Sequence, residues 1–538
     1  MSMPFINQEF VFTQPDGTAL KVRGTGDQYH AVFETLDGYT ILQDPISGFF
    51  HYATLGPQGD ELAPLGVRAE AIDPRKFGLA KGLRPARPAA RPSSPLTSGL
   101  ARTPSRWEIR RNQRRMELHA MARAGAVALA PPQRKPVGRY MGLCLLVQFP
   151  DVKGTIPRED VEAFCNQKNY SGYGNNGSVR DYYLDVSYER LDYTNVVLPY
   201  FTTQNIRSYY TDERVPQPKR AVELIRETLN YYLKKGFDFT QLTSDSGNYI
   251  YAINVFYAGT RVNNWAKGLW PHSYHLDQPM KVAPSKLAND YQITDMTDEL
   301  SLGTFCHENG HMICDFPDLY DYGYESNGIG EYCLMCAGGH ADPKNPVHVG
   351  AYLKNAAGWG SSVTTMTPGQ DVKLRAGANE FAVWRKSPQE YFIVENRARS
   401  KRDAALPDAG LAVWHVDELG SNSNEQMSPS QHYECALIQA DGRNDLEKKS
   451  NNGDASDLFR AAQYDKFSDK TRPSSKWWDA TSSGLEMLSI TKAADVMSFS
   501  VGAGVGRVAE FSGRRKARTA SKPKKPKRSS GVQKPLRA

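Results

Sequence analysis

Cysteine is scarce in this chain: there are seven in 538 residues, an odd number. That density excludes a disulfide-stapled scaffold. Long apolar runs are missing as well. No stretch approaches the roughly 20 residues that span a bilayer, so no transmembrane segment is expected. The first residues, MSMPFINQEFVF, have no basic start and no apolar core. A cleavable signal peptide is therefore not expected, and the compartment stays open. Acid is nearly absent from two segments. Residues 81–136 hold thirteen Lys and Arg against two Glu, and residues 511–538 hold eleven against none, a net of +11 each. The whole chain is only +7, so the remainder carries −15. The basic character thus belongs to two segments that read as a solvated linker and a solvated tail. The tail, SGRRKARTASKPKKPKRSS, would bind polyanions through counterion release with little sequence preference. No specific nucleic-acid partner is expected.

A chain this long exceeds one core. Residues 1–80 carry short apolar runs with turn signals between them. EFVFTQPDGTALKVRG reads as strand, Pro-Asp-Gly turn, strand, and HAVFETLDGYTILQDPISGFFHYA repeats the pattern. A small N-terminal β domain of roughly four to six strands is expected. Residues 81–137 form a basic Pro-, Ala- and Arg-rich linker with one helical stretch, SRWEIRRNQRRMELHAMARAG. Between 138 and 360 the apolar strands YMGLCLLVQFP and YIYAINVFYAG mix with helices such as KRAVELIRETLNYYLKKG, closed by Gly236. SVRDYYLDVSYERL is a further helix with Ser178 as N-cap. From 361 to 505, short strands between polar loops predict an all-β, sandwich-like domain. Residues 506–538 are the basic tail. The fold class expected is α+β.

The sharpest signal is His307-Glu308-Asn309-Gly310-His311. On a helix, positions i and i+4 share a face, so both imidazoles reach one ion. Glu308 then stands beside the ion rather than on it. There it can take a proton from a water and return it to a leaving amine. A chance His-Glu-x-x-His in such a chain has a probability of roughly 1%; the bland alternative is two structural histidines on an apolar helix. Gly310 costs the helix about 1 kcal/mol relative to Ala, which makes sense where another segment packs very close. Two histidines and a water leave one protein ligand to find. Asp315, Asp318 and Asp321 follow in MICDFPDLYDYGYESNGIGEYCLMC, which also puts Met335 just after a turn.

This region, with NPVHVGAYLKNAAGW after it, resembles the M6 (immune inhibitor A-like) family of zinc metalloproteases. LVQFPD, GSVRDYYLDVSYERL, VFYAGT, GLWPHSYHL, YFIVENR, GLAVWHVDE, QADGRNDL and GDASDLF agree with the same pattern. The resemblance covers most of 138–500 and, more faintly, QPDGTALKVRGTGDQYHAVFETLDGYTIL. It implies a zincin/metzincin-like catalytic domain over 138–360, a Zn2+ ion and a methionine turn at Met335. It implies a zinc-dependent endopeptidase acting on protein or peptide substrates, with Glu308 catalytic and His307 and His311 on the metal. The usual family pattern is HExxHxxGxxD. Here Cys314 stands at the glycine and Pro317 at the aspartate. Asp318 comes one residue late, and an extra residue in the turn would restore it to the metal. Asp318 is the expected third ligand, with Asp321 and Asp315 behind it. Residues 1–80 lie where a prosegment of that family would lie. No cysteine occurs before Cys144, so a block from there would need a carboxylate, a histidine or steric cover; Asp27 and His30 are the polar candidates.

Other residues carry open readings. Cys306, Cys314, Cys333 and Cys336 suit a structural zinc site, buried free thiols, or one disulfide from Cys314 to Cys333 or Cys336. His348 reads as a packed core histidine on a helix with Val347, Ala351 and Trp359. His272 and His275 line a cleft or hold a loop. Asn452, Asp454 and Asp457 suit Ca2+ or an ordinary Asx-rich loop. Two rival classes stand beside the peptidase: a zincin-fold binding protein without turnover, favoured by the displaced aspartate, and a polyanion-binding protein acting through its tail. Oligomeric state leaves no trace in the sequence.

Overall fold

Alternating burial organises the N-terminal strands: Phe10, Phe12, Leu20 and Val22 turn inward while their neighbours are more exposed. The computed structural model describes residues 4–28, 30–56, 59, 61–84, 104–124, 135–422 and 427–503. The proline-rich part of the linker and the basic tail, read above as solvated, lie outside the described residues. Strands β1 (Phe5–Thr13), β2 (Ala19–Gly26), β3 (Ala31–Thr35), β4 (Thr40–Gln43), β5 (Phe50–Leu55) and β6 (Leu62–Arg68) form one antiparallel meander in sequence order. Its phenylalanine-rich face packs on Trp265 and Trp270, more than 200 residues away. Thr13 and Asn264 exchange two hydrogen bonds, of 3.0 and 3.1 Å, and Gln28 donates to the Ser273 carbonyl at 2.8 Å.

Helix α1 (Arg106–Arg123) follows, and the Glu108 carboxylate accepts from the Ser105 backbone N–H at 2.8 Å, closing its N-terminus. Next come β7 (Gly138–Gln148), α2 (Arg158–Asn166), α3 (Val179–Ser187), β8 (Leu191–Thr202), α4 (Arg207–Tyr210), α5 (Lys219–Lys234) and β9 (Ile253–Ala258). Then β10 (His272–Ala283) and β11 (Lys286–Met296) lead into α6 (Leu302–Cys314), with α7 (Ala351–Ala356) beyond. The five strands make one sheet in the order β10-β11-β9-β7-β8, parallel except for the β10–β11 hairpin. Period-two alternation splits β7 between two cores. Cys144 and Leu146 face α2, α3 and α6, whereas Leu143, Leu145 and Val147 face α5. Ser178 caps α3 as expected, accepting from Asp181 N–H at 3.1 Å.

The C-terminal strands are β12 (Ser362–Thr365), β13 (Asp371–Arg375), β14 (Glu380–Arg385), β15 (Glu390–Arg397), β16 (Gly410–Asp417), β17 (Cys435–Leu437), β18 (Phe467–Ser468), β19 (Glu486–Leu488) and β20 (Val496–Val501). They form two sheets, β12-β14-β15-β16-β17 and β13-β20-β19-β18, that share one apolar core including Phe392, Val413, Phe467 and Phe499. The molecule is thus mixed α and β, with several sheets and few helices. Among the described residues no helix is long and apolar enough to cross a membrane.

Two local expectations change. LWPHSYHLD is not a loop: His272 and His275 are buried in β10, and His272 Nε2 lies 3.0 Å from Tyr291 Oη on β11. His348 is not helical, since α7 begins at Ala351. It is buried, and its backbone N–H donates to Asp403 at 3.0 Å.

Candidate metal centre

Helix α6 carries the His-Glu-x-x-His motif and is buried along its length. Its seat on the sheet is polar. Asn309 accepts from Tyr193 Oη at 2.6 Å and donates to Asn254 Oδ1 at 2.9 Å, and Asn254 donates to Asn195 at 2.9 Å. These groups come from β8, β9 and α6, so the helix is held in register against the strands by a network with little freedom. On its other side the chain comes very close, as the glycine suggested. A Cβ at Gly310 would stand 2.9 Å from Met335 Sδ, and Met335 is fully buried.

The helix ends where Asp315 takes a left-handed conformation, φ +59°, with its N–H donating to the His311 carbonyl at 3.0 Å. Aspartate is one of the few non-glycine residues that enter this region readily. That turn sends the next residues back along the helix face and separates the three aspartates. Asp315 points to Arg110, 2.6 Å away. Asp321 caps its own loop, accepting from the Gly323 and Ser326 N–H groups at 2.9 and 3.0 Å. Asp318 alone joins the histidines.

His307 Nε2 and His311 Nε2 lie 3.0 and 3.2 Å from Asp318 Oδ1, and 3.2 Å from each other. All three side chains are fully buried. His307 Nδ1 lies 2.9 Å from the Leu334 carbonyl and His311 Nδ1 lies 2.6 Å from that of Phe316. A carbonyl requires a donor, so each Nδ1 carries the proton and each Nε2 turns its lone pair inward. Burial alone would raise the Asp318 carboxyl; when the imidazoles are protonated at Nε2 as well, their charge holds it well below the usual carboxylate range. The donor set fits a small divalent ion. Ligand atoms about 2.0–2.1 Å from a tetrahedral zinc stand about 3.3 Å apart, close to the three distances seen. Glu308, on the same helix between the histidines, is buried beside them.

The other candidates behave differently. All seven cysteines are buried free thiols, and no group of three or more cysteines, histidines or acids besides two converges among the described residues. One is His307, His311 and Asp318; the other is Asp441, Asp454 and Asp457. The second contains Asp454 and Asp457 of the calcium reading, but Arg443 enters it, pairing with Asp441 at 2.7 Å and Asp445 at 3.0 Å and also with Asp454.

Sequence reasoning named Asp27 and His30 but missed the rest of the surroundings. Tyr320 Oη donates to Asp27 at 3.0 Å, and the His30 ring stacks on Tyr324 at 5.9 Å, so the β2–β3 turn reaches the loop after Asp318. The Trp107 indole of α1 lies flat on the His311 ring, 4.7 Å between centroids at 24°. The asparagines of β8 and β9 were a usable signal, being polar residues inside apolar strand runs. The docking of α1 left no such mark. No protein-family model matches the chain, and no curated protein matches it.

Proposed function

We propose that the chain is a zinc-dependent endopeptidase built on a zincin-like catalytic unit of the M6 kind. One observation carries this reading: two imidazole nitrogens and a carboxylate oxygen converge at tetrahedral spacing, with a glutamate next to them on the same helix. His307, His311 and Asp318 would hold the ion, and bound zinc supplies a Lewis acid for the scissile carbonyl and acidifies a water. Glu308 takes the proton from the attacking water and passes it to the departing amine. The Leu334 and Phe316 carbonyls fix the imidazoles in the tautomer that leaves Nε2 free to bind. Met335 floors the centre beneath Gly310 and keeps that side dry.

The test separates chemistry from metal binding. Glu308→Ala keeps zinc and loses peptidase activity by on the order of a thousandfold. His311→Ala loses both. Asp318→Asn lowers zinc content more than Asp315→Asn or Asp321→Asn, because an amide oxygen is a poorer ligand than a carboxylate. Near-normal activity in Glu308→Ala, or equal zinc in the three aspartate variants, overturns the assignment.

A further inference from the structure

The three donor side chains are fully buried, so a polypeptide reaches them only if a wall of the centre leaves. The sheet and the Met335 turn are tied in by backbone hydrogen bonds. Helix α1 pairs with no strand, and its only buried residues are Trp107 and Leu118. Its hold is ionic. Arg106, Arg110, Arg111, Arg114 and Arg115 fan across the half of the helix whose middle carries Trp107 and Leu118. That half is turned inward, while Met116 on the other side is 72% exposed.

Each arginine meets an acid or a carbonyl from a distant part of the chain. Arg106 and Arg110 pair with Asp245 at 3.0 and 3.2 Å, and Arg110 also with Asp315. Arg111 pairs with Glu434, and Arg114 with Glu418 at 2.7 Å. Arg115 donates to the carbonyls of Glu418, Leu419 and Gly420 at 2.6, 3.0 and 2.9 Å. The Asp245, Glu418 and Glu434 side chains are only 3–4% exposed. Carboxylates so placed are costly without a cation beside them; burial pushes the Glu418 carboxyl up even with Arg114 in contact. A cavity of about 290 Å³ remains beneath the helix, bounded by Arg110, Arg114, Asp245, Phe316 and Tyr352. The walls beside His311 are therefore an acidic groove, and a basic segment of this chain already lies in it.

We propose that this groove is the peptide-binding site of the metal centre, that α1 is its built-in occupant, and that the polypeptides it accepts are arginine-rich. The proposal rests on the peptidase reading for its chemistry but not for its binding. The acids that grip α1 are the groups that would grip an incoming chain, with Asp245 and Asp315 nearest His311 and Glu418 and Glu434 further along. Occupation by α1 and by substrate are then mutually exclusive.

The experiment uses the full, zinc-loaded chain carrying Glu308→Ala, with and without Arg110→Ala and Arg114→Ala. A labelled peptide of residues 104–124 is titrated in by fluorescence anisotropy. The chain with the weakened α1 binds it about tenfold or more tightly than the chain with α1 intact. Its affinity falls steeply between about 50 and 500 mM salt, and a peptide with glutamine at every arginine does not compete. Equal affinity for the two chains, no binding, or binding of the glutamine peptide overturns the proposal. Amide exchange on the unaltered chain guards against a misfolded variant: salt speeds exchange in α1 and leaves β7 and β9 unchanged, and a salt-insensitive α1 sinks the idea. With Glu308 restored, the double variant cleaves arginine-rich peptides about tenfold faster than acidic ones of equal length. Indiscriminate cleavage refutes the groove while the peptidase reading survives; binding of the α1 peptide without any cleavage refutes the peptidase reading while the groove stands.

Discussion

Arginine meets carboxylate in two places in this molecule, and the surroundings differ. At the junction of α7 with the C-terminal sheet, Arg397 grips Asp403 through two 2.8 Å bonds and donates to the Tyr332 carbonyl at 3.0 Å. Glu395, alongside, accepts from Ala351 N–H at 2.9 Å and Trp414 Nε1 at 3.1 Å. Arg397 is 2% exposed and Glu395 4%. Every charge there is matched by fixed donors or acceptors. On α1 the acids Asp245, Glu418 and Glu434 are just as dry, but the arginines are 14–24% exposed and keep contact with water. Opening the first cluster strands a charge in a low-dielectric interior. Opening the second returns each guanidinium to solvent and, because the helix leaves with it, wets the acids as well. The first joins two units permanently; the second is a reversible hold.

The comparison breaks most visibly at Arg397. Arg397→Met leaves the buried Asp403 without the cation that grips it and costs about 3–5 kcal/mol, read from urea unfolding of the intact protein. A loss below about 1 kcal/mol would mean that the cluster is as wet as α1. The dry interior has a second probe at His272, whose pKa burial lowers to about 4. In the unfolded chain it takes a proton near 6.5, in the fold only near 4. Its contribution is complete above pH 6.5 and is lost as pH falls from 6.5 to about 4, at most about 3 kcal/mol. His272→Gln flattens that part of the acid profile, seen as a smaller stability difference between pH 7 and 4.5. On the wet side, Arg106→Ala costs about 0.5–1 kcal/mol, because Arg110 still neutralises Asp245. Hydrogen exchange in α1 registers it, and added salt shrinks the difference. The exposed Arg23–Glu9 pair sets the floor, and Arg23→Ala changes unfolding by less than about 0.5 kcal/mol.

How much of this was legible varied with the range of the interaction. The His-Glu-x-x-His spacing sufficed for α6, and the local aspartates included the one that joins the histidines. Which of the three does so depended on a left-handed Asp315 at the position after Cys314, a backbone choice that composition does not display. The β10–β11 hairpin was missed because HSYHLDQPMKVA mixes polar and apolar residues without alternation; His272, Ser273 and His275 are buried at its start, where Tyr291 meets His272 and Gln28 meets Ser273. The reading of 81–137 as a solvated charge run failed for α1 for a similar reason. Its partners are single acids at 245, 315, 418 and 434, each unremarkable in its own stretch, and only the tertiary fold brings them together.

The span of the α1 clamp also bears on how the chain comes off the ribosome. Arg111 and Arg114 precede Glu434 and Glu418 by 323 and 304 residues. At about 5–20 residues per second, roughly 15–60 s pass between synthesis of the helix and of its far partners. The His307, His311 and Asp318 segment emerges before Glu418 does. The three donor residues are thus synthesised while the far end of α1 has nothing to hold it, and that end can dock only when translation reaches the C-terminal sheets.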